Sequence, residues 1–313
     1  MPGGQRANIL TNTSAGPVVQ TFRKIAAGVY LEGLAVDYRR NVIWYSDVIA
    51  GGIHGVTPEG EPVASFDHER MWTGGVMMNE DGSVLSTGEG GIRWNNPDTG
   101  KSGWLLDRID DKPINGVNEM VSDGTGGIFF GTIDMERVIK GQATRPCAIY
   151  RLTASGEVIR LTDLHFPNGI MLDPVRRRFY GNDTFVCTWA FDVTSALTLE
   201  NKCKFLDKED VDGMALDAEG NVWITGFRSS YLTRLRPDGT QLPQLQGAAG
   251  SITQVRFGGP DMCDLYFNSV PADGGDSLKD GVPLTAKNSF LFRGRSETPG
   301  MPLQPSRFRL ERQ

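Results

Sequence analysis

Val211-Asp212-Gly213-Met214-Ala215-Leu216 runs into the turn Asp217-Ala218-Glu219-Gly220-Asn221 and out again as Val222-Trp223-Ile224-Thr225-Gly226. Two short apolar runs, rich in β-branched and aromatic residues and joined by an Asp/Gly turn, read as a β-hairpin. The runs are continuously apolar rather than alternating, which predicts strands covered on both faces. The pattern recurs near Glu32 (EGLAVDYRRNVIWYSD), Gly74 (GGVMMNEDGSVLSTGE), Asn118 (NEMVSDGTGGIFFGTID), Pro167 (PNGIMLDPVRRRFYGND) and Ile252 (ITQVRFGGPDMCDLYFNS). Copies start about 40 to 50 residues apart, the period of a propeller blade or a solenoid unit. A third strand such as Ser230 to Leu235, a turn at Pro237-Asp238-Gly239-Thr240 and an outer strand complete a copy. The expectation is an all-β fold: a six-bladed β-propeller of four-stranded antiparallel blades around a central channel.

Composition agrees and narrows the function. The chain has 313 residues and 39 glycines, many of them in turns such as Glu80-Asp81-Gly82. A net charge of −6 argues against nucleic acid, whose binding proteins present a basic stripe. No run of eighteen apolar residues offers a membrane span, and MPGGQRANILTNTSAGP lacks the apolar core of a secretory signal. The expectation is a cytoplasmic protein with a small-molecule partner, no nucleic acid and no membrane; oligomeric state stays open. No linker divides the ring, so residues 1–313 read as one domain, with blades from about 18 to 296. Val18 to Ile25 is expected to close the last blade beside Ser289 to Arg293. Residues 1–17 and 297–313 read as flexible or surface-wrapping termini. Asp134 to Gln142 reads as a short helix or lid, and Pro271 to Lys287 as a long irregular loop of the kind that is usually functional. Cys147, Cys187, Cys203 and Cys263 form no CxxC pair and read as structural thiols, with a Cys187–Cys203 bridge as the alternative.

The copies differ at their heads. Glu32, Asn118, Asn168 and Asp212 open four of them, whereas the second opens on glycine and the sixth on Ile-Thr-Gln. A single carboxylate or amide at a strand start is normally a turn or cap device. Four oxygen-bearing side chains at equivalent places around a closed ring can converge on one hard divalent cation: Ca²⁺, with Mg²⁺, Mn²⁺ or Zn²⁺ as alternatives.

Glu32-Gly33-Leu34-Ala35, Phe166-Pro167-Asn168-Gly169-Ile170 and Val211-Asp212-Gly213-Met214-Ala215-Leu216-Asp217 resemble the SMP-30/gluconolactonase/luciferin-regenerating-enzyme family, from about Glu32 to Ser269. Val117-Asn118-Glu119-Met120 is similar to the family's Asn-Asp segment, with Glu for Asp. The resemblance implies a six-bladed propeller with one divalent metal in its channel and lactone hydrolysis as the activity. It implies Glu32, Asn168 and Asp212 as ligands, with Asn118 as ligand or substrate contact. Asp212 is then the expected general base, able to reach both metal and water. The family's sugar-lactone hydrolases tend to carry arginine two residues before the third-head asparagine; Gly116 stands there, which implies a less polar lactone or ester substrate. Met71, Trp72 and Thr73 before the second head, Asp183 and Phe185 after a strand of the fourth copy, and Phe227-Arg228 after one of the fifth are expected pocket residues, with blade packing as the alternative.

His54 and His68 read as solvated, and His165 as a minor candidate for activating water, by analogy with paraoxonase-like propellers. No Gly-x-Ser-x-Gly elbow or Walker loop is present. A non-hydrolytic reaction at the same metal (isomerase, lyase or condensation) and a non-catalytic binding platform are the competing readings, because a fold alone does not fix a reaction.

Overall fold

The computed structural model describes residues 21–134, 137, 140 and 147–310. The expectations for residues 1–17 and for most of Asp134 to Gln142 lie outside the described residues. The chain folds as an all-β propeller. Four groups of strands form separate four-stranded sheets in simple sequential order. Their inner strands are Leu31–Asp37, Val76–Met78, Gly116–Ser122 and Pro167–Asp173. Apart from one two-stranded ribbon, the remaining strands form one eight-stranded sheet. In it, the run that begins with Val211–Leu216 meets the run that begins with Ser251–Gly258 at the single pair Gly226↔Ile252. The six inner strands pack each against the next, and Ser251–Gly258 packs against Leu31–Asp37, so the ring closes. Every residue of Pro167–Asp173, Val211–Leu216 and Ser251–Gly258 is buried, as unbroken apolar runs require.

The hairpin turns have a common cause. Asp37 Oδ1 accepts the amides of Arg39 and Arg40 at 3.0 Å each, and Asp173 and Asp217 accept amides two to four residues ahead in the same way. An Asp that closes its own turn fixes where each inner strand ends.

Ring closure falls later in the sequence than expected. Among the described residues the closing strand is Arg23–Gly28, which overlaps the expected Val18 to Ile25 at its end and runs three residues further, pairing with Arg293 to Ser289; Val18 to Gln20 lie outside the described residues. Ala26-Ala27-Gly28 is a weak strand-former on propensity, but the paired edge and the Lys24 ammonium, 3.4 Å from the centre of the Phe290 ring, hold it there. The expected irregular loop at Pro271 to Lys287 contains a short helix, Gly274–Lys279. A two-stranded ribbon, Arg108–Ile109 with Lys112–Pro113, was not foreseen. No helix among the described residues is long and apolar enough to cross a membrane.

The C-terminal tail does more than wrap the surface. Gly300 bridges to Asp217 and Ser306 to Asn79, and Phe308 and Leu310 pack among Met77, Met120 and Phe130. Leu303 and Pro305 help wall a cavity of ≈ 160 Å³ at the turn end of the channel, with Val36, Met77, Met120 and Arg256. Asn79 is the clasp: its Oδ1 accepts Ser306 Oγ at 2.8 Å and the Phe308 amide at 2.9 Å, and its Nδ2 donates to the Phe308 carbonyl at 3.0 Å. Replacing Asn79 with alanine strands buried backbone groups of the tail, so N79A is expected to lose about 2 kcal/mol in urea unfolding. Limited proteolysis should then cut the tail before the ring.

None of the four cysteines is in a disulfide. Register explains the missing Cys187–Cys203 bridge, because Cys203 lies opposite Ala190. Burial pushes the Cys147 and Cys187 thiols up to about 11, where neither is a useful nucleophile.

Candidate active site

The heads stand where the inner strands leave ladder register. Pairing skips between Leu31 and Leu34, Val117 and Glu119, Pro167 and Ile170, Val211 and Met214, and Ile252 and Gln254. Glu32, Asn118, Asn168, Asp212 and Thr253 therefore sit at bulges, devices that re-aim a side chain away from the pleat. Glycine follows three of these heads for a steric reason. A Cβ on Gly33 would stand 2.0 Å from the Gly74 carbonyl oxygen, and one on Gly169 would stand 2.4 Å from that of Asp212. Only a bare backbone lets one head nest against the next.

A second layer of polar side chains ties each head to the preceding blade, and it was not read from the sequence. Ser46 Oγ donates to Gly74 O at 2.8 Å, Thr87 Oγ1 to Asn118 O at 2.6 Å and Asn182 Nδ2 to Asp212 O at 2.7 Å. Thr225 Oγ1 donates to Thr253 O at 2.8 Å, and Asn268 Nδ2 to Glu32 O at 2.9 Å. The missing stitch falls after the third group, where Gly131 stands against Pro167; there Asn118 itself reaches across, donating Nδ2 to Pro167 O at 3.0 Å. The signal was present, since a small polar residue closes each second strand except at Phe130-Gly131.

Three of the heads, Glu32, Asn168 and Asp212, are linked to one another. Asn168 Nδ2 donates to Thr184 Oγ1 at 3.2 Å, and Thr184 Oγ1 donates to Val211 O at 2.8 Å, beside Asp212. Asn168 also hydrogen-bonds the Asp212 carboxylate. Burial drives the Asp212 carboxyl well above the usual range, with the charge of Glu32 adding to it. Burial and then Glu119 push the Glu32 carboxyl up to about 7. Glu32 keeps part of its surface open, whereas Asp212 is buried, and Asp212 Oδ1 has no hydrogen-bond partner among the described residues. Two mutually repelling carboxylates with an orphaned buried oxygen fit a divalent cation. No three or more His, Cys, Asp and Glu residues group as a metal site among the described residues. A cation here would therefore take Glu32 and Asp212 plus the amide oxygens of Asn168 and Asn118, whose nitrogens are already spent on protein acceptors.

Beneath the heads runs a buried network in which only Glu119 had drawn notice. Gln254 Nε2 donates to Glu119 Oε2 at 2.6 Å, and Arg256 Nη1 donates to Gln254 Oε1 at 2.6 Å and Met214 O at 2.8 Å. Arg256 Nη2 lies 3.5 Å from Glu119 Oε2. Burial raises the Glu119 carboxyl and lowers the Arg256 guanidinium, each opposed by the other's charge. Tyr30 was also missed. It is buried, and burial first, then Glu32, Asp212 and Asp276, drive its phenol well above the usual range. It therefore stays a neutral donor beside the two carboxylates.

The other expected pocket residues divide. Asp183 is occupied: Oδ1 accepts the His165 amide at 2.9 Å and the Phe166 amide at 2.7 Å, and Oδ2 accepts Trp189 Nε1 at 3.2 Å. Asp47 holds Val29 and Tyr30 in the same way, so Asp183 is a loop-clamping feature of the repeat. Thr73 Oγ1 donates to Asp47 O at 3.1 Å and is packing. Trp72 packs with Tyr30, Val48 and Val270, and Met71 is exposed. Gly116 pairs with Ile133 and borders a groove with Ile114, Asn115 and Thr132. Phe227 is buried, and Arg228 is paired with Asp276 on the helix. His165 and His68 are exposed. His54 is half-buried against the Tyr45 ring at 5.4 Å, and burial lowers its pKa, in contrast to the solvated residue expected.

The chain matches the model of the SMP-30/Gluconolactonase/LRE-like region over residues 31–270. It is 27% identical to pentonolactonase XacC of Haloferax volcanii, covering 83% of this chain and 88% of that protein. It is 25% identical to 6-deoxy-6-sulfogluconolactonase of Pseudomonas putida, covering 84% and 89%. Among solved structures it resembles a calcium-binding protein, regucalcin, from Agrobacterium tumefaciens, with a TM-score of 0.77 at 19% identity, covering 92% of this chain and 98% of that one.

Proposed function

The chain belongs to the SMP-30/gluconolactonase/LRE-like family, and from that premise we propose a divalent-metal-dependent hydrolase that opens the ring of a lactone. The eight-stranded sheet is then two blades joined at Gly226↔Ile252, which makes six blades in all. The observation that carries the proposal is Asp212, a buried carboxylate with an orphaned oxygen that faces the charge of Glu32. A scaffold has no use for two buried, mutually repelling carboxylates, whereas a cation site does.

Glu32, Asp212, Asn168 and Asn118 would hold the cation, with Ca²⁺ the ion best suited to an all-oxygen set. Bound there, it supplies Lewis acidity toward a lactone carbonyl. Asp212 takes a proton from the attacking water at its carboxylate, and the water oxygen bonds to the carbonyl carbon. The ring C–O bond then breaks, and the departing alkoxide receives the proton from Asp212, so water is added across one ester bond and a hydroxy acid is released. Tyr30, neutral and beside the carboxylates, offers its hydroxyl to the developing negative charge. Asn182 holds Asp212 by its main-chain carbonyl and Thr184 holds the strand one residue before it, so the base does not drift.

The test is acid release from a panel of γ- and δ-lactones by protein supplied with calcium, followed with a pH indicator. Turnover of at least one lactone is expected. If none is opened above the uncatalysed rate with any of Ca²⁺, Mg²⁺, Mn²⁺ or Zn²⁺, the reading fails.

A further inference from the structure

We propose that Phe166, Phe185 and Phe227 form an aromatic wall beside the site that selects lactones bearing an aromatic ring, with Phe185 as the specificity-determining residue. The inference rests on the lactonase reading and names its substrate class.

The three rings flank the site's own residues in the chain. Phe166 lies two residues before Asn168, and Phe185 follows Thr184, which accepts from Asn168. Phe227 follows Gly226, the partner of Val211 next to Asp212. Phe166 and Phe185 meet edge-on, with centroids 5.8 Å apart and planes at 87°. Phe185 and Phe227 meet at 5.6 Å and 72°. The middle ring is thus braced from both sides in the geometry that aromatic quadrupoles favour. Both sides of Phe227 are taken: the Arg228 guanidinium lies 4.9 Å from its centroid, and a Cβ on Gly275 would stand 2.4 Å from the ring. Phe185 remains 39% exposed, so it has a face to offer a ligand.

The backbone points the same way. Phe185 has φ +70°, a left-handed conformation that bulky residues rarely adopt, and its amide is fixed to Glu209 O at 2.7 Å. Asparagine or glycine would occupy that conformation at less cost, so a phenylalanine kept there under strain is explained by what its ring contacts. An aromatic substituent on the lactone completes the stack; a hydroxylated one finds no polar partner on these three rings.

The experiment compares kcat/KM for γ-phenyl-γ-butyrolactone and a pentono-γ-lactone in the wild type and in Phe185→Asn, which removes the ring while suiting the backbone. The ratio of phenyl to hydroxylated substrate is expected to exceed one in the wild type and to fall at least tenfold in F185N, with no loss of Tm. A ratio in F185N within twofold of the wild-type value overturns the wall. A second measurement needs no variant and no turnover: 5-phenyl-2-pyrrolidinone, an inert lactam, should bind wild-type protein at least tenfold more tightly than 2-pyrrolidinone by calorimetry. Equal affinities overturn the wall even if lactones are hydrolysed. Preferential binding of the phenyl lactam without hydrolysis of any lactone would leave the wall standing and sink the lactonase reading instead.

Discussion

Asp212→Asn is expected to lose lactone hydrolysis by about 10³-fold or more while the protein folds normally. The loss has two sources, removal of the proton acceptor and removal of one of only two head carboxylates. The stability effect runs the other way. In metal-free protein the Asp212 carboxyl is buried, faces Glu32 and has an unpartnered oxygen. Its folded-state pKa is raised, so its contribution to stability is present at low pH and is lost as pH rises above the ordinary carboxylate range. An amide has no such charge to bury. At pH 8 without metal, D212N should therefore melt about 2 °C or more above the wild type, whereas with calcium the wild type should gain and the variant should not. A variant that is inactive but less stable in both conditions would mean that Asp212 serves packing.

Arg256→Met is expected to cost about 3–5 kcal/mol in urea unfolding, because it strands Glu119 as a charge with no partner cation beneath the heads. The guanidinium is buried at the 3.5 Å contact with Glu119 and also satisfies Gln254 Oε1 and Met214 O. Adding Glu119→Gln to R256M removes the uncompensated charge and should recover more than half of the loss. Such recovery distinguishes an ion-pair effect from a simple packing defect, which the second substitution would leave in place. Failure of the double variant to recover would show that Arg256 acts through its main-chain contacts alone.

Much of this was legible in the sequence because the repeat is local. Each hairpin carries its own apolar runs and its own turn aspartate, so Val211 to Gly226 could be read without reference to the rest of the chain. The heads stood out only by comparing copies, which works when equivalent positions differ in chemistry, as Glu32, Asn118, Asn168 and Asp212 do. What escaped is what joins distant positions. The Gln254–Glu119 bond spans 135 residues, and no local pattern records it; the Asn268 to Glu32 bond spans 236, and the small polar residue at the strand end marks only its donor. Tyr30 carries no mark in the sequence, and only the fold sets it beside two carboxylates. Asp183, expected in the pocket, also clamps the loop before Asn168, the role Asp47 plays in the first copy. The tail was underestimated because Phe308 and Leu310 find their core across the ring, against Met77 and Met120.

The four heads are expected to work through a divalent cation. The most direct measurement strips the protein with EDTA, removes the chelator, and follows hydrolysis of its best lactone before and after adding back calcium. In the wild type, turnover should be lost on stripping and return on addition, with no return in D212N. Full activity in the stripped wild type would show that the heads act without a cation.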